Sequence, residues 1–220
     1  MKYYPPSNHI YYDDSDIPIN KLNIKDALLI HELEKEQLIK SYEYLHNELS
    51  EDTIFDKEYL KKVNYNIFGF LYKWAGSYRT VNISKGSSMF CPYSNLESFS
   101  NDIFKKLKKD NYLKDYEDVN KRDEFIEKLS FYMCELIVLH PSNEGNGRAI
   151  RLFFDMICTY NGYEYIDYKE TLGDDEYILA SIDCMSADCE RMSKILHRGL
   201  VSVEYETKEI ITSRVGLEEW

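Results

Sequence analysis

Residues 125–139 constrain the fold most, because apolar side chains cover most of the circumference of the helix that they predict. A helix that is apolar on nearly all sides has to be surrounded by other elements, so we expect it at the centre of a helical domain. His140 and Pro141 end this helix, since proline disfavours helical geometry in the residue before it. A short polar turn follows, and helical periodicity resumes over residues 148–160.

The rest of the chain repeats the helical pattern with one interruption. Apolar residues recur at helical spacing after Asn23 or Asp26, from Tyr59 to a stop at Ala75-Gly76, over 94–109, after a cap at Asp174 and over 191–200. Residues 80–93 instead predict two short strands around a glycine turn. No strand–helix alternation is present. We therefore predict an all-α single domain over residues 1–220 with one small β-hairpin. Residues 1–22 read as an irregular arm.

Net charge limits the classes of partner, and hydropathy bears on the compartment. The chain carries 27 basic and 39 acidic residues, and a net charge of −12 repels nucleic acids and anionic membranes. A small phosphorylated ligand remains compatible, because a local site can oppose the global sign. The chain has neither an apolar run of about 18 residues nor a signal-peptide pattern at its start, which favours the bacterial cytoplasm. A dedicated secretion system would leave no such mark, so delivery to a host cell stays open.

The cysteines predict neither a metal site nor a disulfide framework. There are five of them, an odd number, and no pair has CxxC spacing. We expect buried thiols in a reducing compartment.

The chemistry-bearing segment is HPSNEGNGRAIR, residues 140–151. A histidine at the end of a buried helix faces a loop. The loop carries a carboxylate, Glu144, and a Gly-Asn-Gly turn whose N–H groups can converge on an anion. The next helix adds its positive N-terminal end. Arg148 and Arg151 project from one face of that helix and suit bidentate phosphate contact. These groups together indicate phosphoryl or nucleotidyl transfer from a magnesium nucleotide, with His140 as the base.

The segment resembles the signature of Fic-domain proteins, HxFx(D/E)GNGRxxR, at seven of eight fixed positions. IFGFLYKWAGSYRTVNISKGSSMF, residues 67–90, is similar to the family's helix end, WAG-x-x-R turn and flap hairpin. The resemblance covers residues 50–200, leaves 201–220 as a tail with a potential regulatory role, and implies a Fic-type helical core with the flap over the active site. The implied activity is AMP transfer from ATP to a Ser, Thr or Tyr hydroxyl of a target protein or of the chain itself.

The resemblance also implies roles for individual residues. His140 would be the general base, and Glu144 would hold Mg²⁺ on the α- and β-phosphates. The flap would pair with the target as an added strand, and Tyr177 would border the adenine. The implied ATP-binding residues are Asn143, Gly145, Asn146, Gly147, Arg148 and Arg151, with the Asn146 side chain in the anion hole, and the flap residues are Lys85, Gly86 and Ser87.

One position departs from the signature: Ser142 stands where the family usually has Phe. Either another aromatic side chain packs the loop, for which Phe153 and Phe154 are candidates, or catalysis is weakened. The phosphate-transferring variant of the family has Lys in place of the second glycine of the turn, and Gly147 therefore favours AMP transfer.

Regulation and the direction of the reaction stay open on the sequence. The family's inhibitory motif has no clean copy, although the helix LLIHELEKEQLIK carries glutamates and the tail carries Glu218 and Glu219, either of which could reach Arg151. Otherwise inhibition is absent or lies in a separate antitoxin. Family resemblance also makes a homo-oligomer reasonable. The alternatives to an AMP transferase are an enzyme that removes AMP through the same site and a catalytically weak nucleotide-binding module.

Overall fold

The computed structural model describes residues 10–13, 15–86, 88–169 and 175–201. Within these residues the chain forms seven α-helices and one two-stranded antiparallel hairpin, which confirms the predicted fold class. The helices are α1 Ala27–Asn47, α2 Lys57–Phe68, α3 Leu96–Lys109, α4 Arg122–Leu139, α5 Asn146–Tyr160, α6 Glu176–Cys184 and α7 Glu190–Gly199. The strands are β1 Ser84–Lys85 and β2 Ser88–Met89, and short 3₁₀ turns cover Tyr93–Asn95, Asn111–Leu113 and Val119–Lys121. Ser87, Asp174, Glu218 and Glu219 lie outside the described residues.

Helix α4 lies at the centre, as its apolar circumference predicts. It packs against α3, α5, α6 and α7, while α5 packs against α1, α2 and α4. Side chains such as Phe125, Leu129 and Met133 have no exposed surface. The turn between α4 and α5 therefore joins the two most buried helices, which gives its polar groups a rigid frame. No helix among the described residues is long and apolar enough to cross a bilayer.

Helix α2 ends earlier than its apolar spacing predicts. It stops at Phe68, and the N–H of Gly69 caps it by donating to the Tyr65 carbonyl at 2.7 Å. A Cβ at Gly69 would lie 2.5 Å from that oxygen, so only glycine fits this close approach. Beyond the cap Phe70 is exposed, but Leu71 and Tyr72 are buried in the core, where the Tyr72 and Trp74 rings stack at 4.9 Å. The apolar spacing of the sequence therefore reflects burial beyond Phe68, where the helix itself has already ended.

The prediction of thiols at all five cysteines is wrong for two of them. Cys134 on α4 and Cys184 at the end of α6 form a disulfide, with their Cα atoms 4.9 Å apart. The packing of α6 on α4 brings together side chains that are 50 residues apart in sequence, and Cys spacing carries no information on such a contact. Cys91, Cys158 and Cys189 are thiols.

Candidate active site

The turn from His140 to Gly145 has two residues in left-handed backbone geometry. His140 follows α4 at φ 45°, ψ 62°, and Gly145 precedes α5 at φ 70°. A Cβ at Gly145 would lie 2.1 Å from the tip of the Phe68 ring, so the turn requires glycine there for both space and conformation. This geometry brings the end of α4 and the start of α5 to one point.

His140 is buried, and its ring has a fixed orientation. Its Nδ1 lies 3.1 Å from the carbonyl oxygen of Ile137, which can only accept, so Nδ1 carries the proton. The Phe90 ring stacks on the imidazole with centroids 3.7 Å apart and planes 12° from parallel. The pKa of His140 is lowered from 6.5 to about 3, mainly by burial and also by the positive charges of Arg79 and Lys85, while the Ile137 hydrogen bond opposes the shift. The imidazole is therefore neutral near pH 7, with its lone pair on Nε2, as a general base requires.

Arg79 holds the backbone around this histidine. Its guanidinium is buried and donates to the carbonyl oxygens of Val81, Cys91, Leu139 and His140, while its N–H donates to Pro141 at 2.8 Å. One side chain thus ties the root of the hairpin to the end of α4. The sequence marks Arg79 only as part of the WAG-x-x-R turn and shows nothing of this role.

Glu144 has both carboxylate oxygens engaged. Tyr11 Oη donates to Oε2 at 2.6 Å, and the N–H of Gly145 donates to Oε1 at 3.1 Å. Burial raises the pKa of Glu144, and these two hydrogen bonds and the Arg148 charge oppose that rise. Tyr11 comes from the N-terminal arm, and no pattern in the sequence marks it as a site residue.

The donor set around Glu144 fits a magnesium ion that also takes phosphate oxygens. Among the described residues there is no group of three or more His, Cys, Asp and Glu side chains that could hold a metal. Mg²⁺ at a nucleotide needs only one or two carboxylates, because phosphates and water complete its octahedron. Glu144, oriented by Tyr11 and Gly145, supplies such a carboxylate beside the turn.

The two arginines of α5 lie in different surroundings. Arg148 Nη1 lies 2.7 Å from Glu34 Oε2, and the guanidinium covers the Phe68 ring at 4.6 Å. Tyr72 donates to the other oxygen of Glu34. Glu34 belongs to the α1 segment whose glutamates drew attention in the sequence, and its partner is Arg148. The prediction that Glu218 or Glu219 reaches Arg151 lies outside the described residues.

Arg151 is buried between two tyrosines. Its guanidinium lies 5.3 Å from the Tyr177 ring and 5.9 Å from the Tyr168 ring, and the two rings meet edge to face. Its Nη1 is 3.3 Å from the place that a Cβ at Gly147 would take, so the guanidinium reaches back to the turn. Tyr177, expected beside the adenine, is in contact with this guanidinium. Tyr168 was not found from the sequence.

The Asn146 side chain pairs with the backbone of Ser142. Its Oδ1 accepts from the N–H of Ser142 at 2.7 Å, and its Nδ2 donates to the Ser142 carbonyl at 2.9 Å. The amide therefore closes the turn, and its place in the anion hole stays a prediction. Asn143 lies half-buried within the same turn.

Aromatic packing on the turn comes from two rings outside α5. Phe68 packs against Gly145, and Phe90 packs against His140. Phe153, expected from the sequence to replace the family's Phe, packs in the core against Phe55, Phe104 and Phe154 among others. Phe154 is fully buried.

The hairpin has the predicted position and a register that can now be stated. Ser84 pairs with Met89 and Lys85 with Ser88, with Gly86 at φ 59° in the connecting turn. Lys85 is half-buried and close enough to His140 to lower its pKa. Of the three flap residues named from the sequence, Ser87 lies outside the described residues.

Comparison with known proteins agrees with this geometry. The profile of the Fic/DOC family matches residues 54–158, which include α2, the hairpin and the whole turn. Residues 54–158 form a Fic domain. The chain is 32% identical to the protein adenylyltransferase VbhT of Bartonella schoenbuchensis, over 100% of this chain and 47% of VbhT. It is 32% identical to the probable protein adenylyltransferase Fic of Escherichia coli, over 48% of this chain and 51% of that protein. The chain thus spans about half the length of these curated relatives.

Solved structures show the same fold around this Fic domain. The BepC protein of Bartonella tribocorum, a VirB-translocated effector with bound AMPPNP, superposes with a TM-score of 0.77 at 20% identity. The match covers 89% of this chain and 97% of that one. A Fic domain from Bartonella quintana with bound ADP gives a TM-score of 0.74 at 20% identity and covers 92% of this chain and 97% of that one. At these identities the likeness concerns the fold.

Proposed function

We propose that this Fic domain transfers AMP from ATP to a side-chain hydroxyl of a protein. The observation that carries the proposal is a buried imidazole whose Nδ1 contacts the Ile137 carbonyl, placed where α4 ends and the N-terminus of α5 begins. A base and an anion-binding helix end at one point are the two requirements of nucleotidyl transfer. The name protein adenylyltransferase, given to VbhT, supports the same activity.

In the proposed reaction, His140 removes a proton from the target and the start of α5 stabilises the charge that develops on phosphate. His140 Nε2 takes the proton of the target hydroxyl, whose oxygen forms a bond to the α-phosphorus. The bond from that phosphorus to the bridging oxygen breaks, and pyrophosphate leaves with the electron pair. The first N–H groups of α5 have no intrahelical partner, so they can donate to the phosphate oxygens on which charge develops.

The arginines and Glu144 account for the rest of the triphosphate. Arg148 and Arg151 lie on the first turns of α5 and would bind the β- and γ-phosphates, Arg148 on exchanging its contact with Glu34. Glu144 would hold Mg²⁺, which would neutralise charge between the phosphates when bound. The contacts of Tyr168 and Tyr177 with Arg151 favour a role for both rings in holding this guanidinium toward the turn.

The hairpin favours a protein as the substrate. Its strands are two residues long, so their edges offer backbone groups with which an extended segment can pair. Lys85 lies on β1, close enough to His140 to affect its pKa, and Gly86 lies in the adjoining turn. We propose that the target segment docks there.

Label transfer tests the proposed function. With α-labelled ATP and Mg²⁺, we expect label on the chain itself or on proteins of a bacterial lysate. His140→Ala should lower it by about 10²–10⁴-fold. His197→Ala is the matched control, because His197 is exposed on α7. Label that persists in His140→Ala contradicts the role of the base. Transfer from γ-labelled ATP would show phosphorylation instead.

A further inference from the structure

The Phe90 ring lies directly on the base. Phe90 follows β2 at the root of the hairpin, is only 9% exposed, and stacks on His140 at 3.7 Å. Its other apolar neighbours form a small cluster apart from the main core, made of Val81, Ile83 and Met185. The ring therefore belongs to the flap on one side and to the active site on the other.

We propose that Phe90 is a positioning residue that fixes the imidazole of His140 and links its orientation to the flap. The proposal rests on the proposed function in taking His140 as the base and the hairpin as the edge at which the target docks. Two contacts set the ring: the hydrogen bond from Nδ1 to Ile137 fixes its direction, and the parallel Phe90 ring blocks rotation out of that plane. A side chain locked by packing and by one hydrogen bond holds a reacting atom within the tolerance that catalysis needs.

Phe90 also keeps water from one face of the imidazole. Among the described residues, Arg79 from the loop before the hairpin and Lys85 from β1 bring positive charge near His140, and both disfavour the protonated ring, as burial does. Without the Phe90 ring, water reaches that face, and burial disfavours the imidazolium less. Loss of the ring should therefore change the protonation of His140 as well as its position.

The backbone connects this stack to the hairpin. The N–H of Cys91 donates to the Val138 carbonyl at 3.0 Å, and Arg79 donates to the Cys91 carbonyl, so the chain just after Phe90 is bound to the end of α4. On the other side, Phe90 leads directly out of β2. A target strand that pairs with the hairpin thus acts on the residue that holds the base.

The test compares Phe90→Leu, which removes the ring, with Phe90→Tyr, which keeps it. Phe99→Leu on α3 is the matched control, since it makes the same change at a half-buried Phe remote from the turn. The first readout is the His140 pKa from NMR of histidine labelled at ring carbons, assigned with His140→Asn. The second is AMPPNP affinity by calorimetry, and the third is the rate of label transfer.

We expect Phe90→Leu to raise the His140 pKa by at least one unit and to slow label transfer on the order of 10²-fold, since a small misplacement of a reacting group has that effect. AMPPNP affinity should stay within about twofold, because the ring of Phe90 stacks on the base, whereas the proposed phosphate ligands lie on the turn and on α5. Phe90→Tyr and Phe99→Leu should match the wild type. If Phe90→Leu does not fold, as judged by circular dichroism, Phe90→Met replaces it.

The outcomes separate this proposal from the proposed function. If the wild type transfers label and Phe90→Leu keeps both its rate and its His140 pKa, the positioning role is wrong and the function stands. A rate that falls equally in Phe90→Tyr also overturns it. If the wild type transfers no label, the NMR titration still decides, because the effect on the His140 pKa is independent of turnover.

Discussion

Individual residues of the turn carry most of the chemistry, and their backbone geometry explains why. A left-handed residue other than glycine costs about 1–2 kcal/mol, so His140 keeps this conformation only because its surroundings hold it. The Pro141 carbonyl accepts a hydrogen bond from the backbone N–H of Arg79, and the His140 carbonyl accepts one from the Arg79 side chain. The conformation ends α4 and places the imidazole against Phe90 at the root of the hairpin.

Replacing each glycine of the turn by alanine should affect stability differently. Gly145→Ala should lower the free energy of unfolding by about 1–3 kcal/mol, because its Cβ would collide with Phe68 at positive φ. Gly147→Ala should be near neutral for stability, since its Cβ would meet the end of the Arg151 side chain at 3.3 Å, a contact that a shift of a few tenths of an ångström relieves. Urea denaturation of both variants measures this difference. Equal stabilities would contradict the close packing of Phe68 on the turn.

The pKa of His140 predicts a loss of stability in acid. Because the folded-state pKa is about 3 and the unfolded value is 6.5, the unfolded chain binds a proton between these values that the folded chain does not. The free energy of unfolding should therefore fall as the pH falls from about 6.5 towards 3, by up to about 1.4 kcal/mol per unit from this residue. His140→Asn should lose this contribution, which urea denaturation between pH 7 and pH 4.5 measures. Parallel pH profiles for the two proteins would be inconsistent with a buried neutral imidazole.

Removal of the Tyr11 hydroxyl should weaken the binding of Mg²⁺ at Glu144. Its hydroxyl fixes one oxygen of Glu144, and loss of a group that orients a ligand typically lowers metal affinity 10–100-fold. Tyr11→Phe should therefore weaken Mg²⁺-dependent AMPPNP binding, measured by calorimetry as a function of Mg²⁺ concentration. Tyr12→Phe is the control, since Tyr12 donates to Asn23. Tighter binding in Tyr11→Phe would mean that the hydroxyl obstructs the carboxylate.

At the scale of elements, the active site lies where three segments meet: the end of α4, the start of α5 and the hairpin. Each is short of internal hydrogen bonds at that point, since helix ends leave backbone groups unpaired and the strands are two residues long. Arg79 compensates by donating to carbonyls on both sides. One buried guanidinium therefore joins the hairpin to the end of α4 by hydrogen bonds to backbone carbonyls on both.

Arg79→Lys tests this connection. Lysine keeps the charge but cannot reach carbonyls in several directions at once, so we expect a loss of about 3–5 kcal/mol in the free energy of unfolding. Arg191→Lys is the control, because Arg191 pairs with Asp183 at the surface and should change stability by less than about 1 kcal/mol. A similar small effect in Arg79→Lys would show that the carbonyls find other partners.

At the scale of the whole molecule, α4 organises the fold and the disulfide fastens α6 to it. Helix α6 carries Tyr177, which contacts Arg151, so the bond from Cys184 to Cys134 holds one wall of the site against the central helix. The packing of α7 on both α4 and α6 covers the same side. The described core is thus continuous from α1 to α7.

Thiol counts and stability test the disulfide. Under denaturing conditions, Ellman's reagent should find thiols at Cys91, Cys158 and Cys189 alone before reduction and at all five cysteines after it. A bond closing a loop of 50 residues should stabilise the fold by about 4 kcal/mol, so the Cys134→Ala/Cys184→Ala variant should melt several degrees lower. Five thiols without reductant would contradict the bond.

The residues adjacent in sequence were the most predictable part of the site. His140, Glu144 and the glycines act through local geometry, in which a helix end, a tight turn and a helix start follow one another. The contacts that tune them come from far along the chain: Tyr11 reaches Glu144 across 133 residues, and Glu34 reaches Arg148 across 114. A tyrosine or glutamate in a helical or irregular segment looks the same in sequence whether or not it has such a partner.

The sequence by itself determined the helical class, the central place of α4, the hairpin and the turn that carries the base, because periodicity, proline and glycine act on near neighbours. Only the tertiary structure decided that α2 ends at Phe68, that the Asn146 amide closes the turn, that Cys134 joins Cys184 and that Phe90 covers His140. Each of these depends on which surfaces meet when the helices pack, and that arrangement minimises the free energy of the whole chain and not of any one segment.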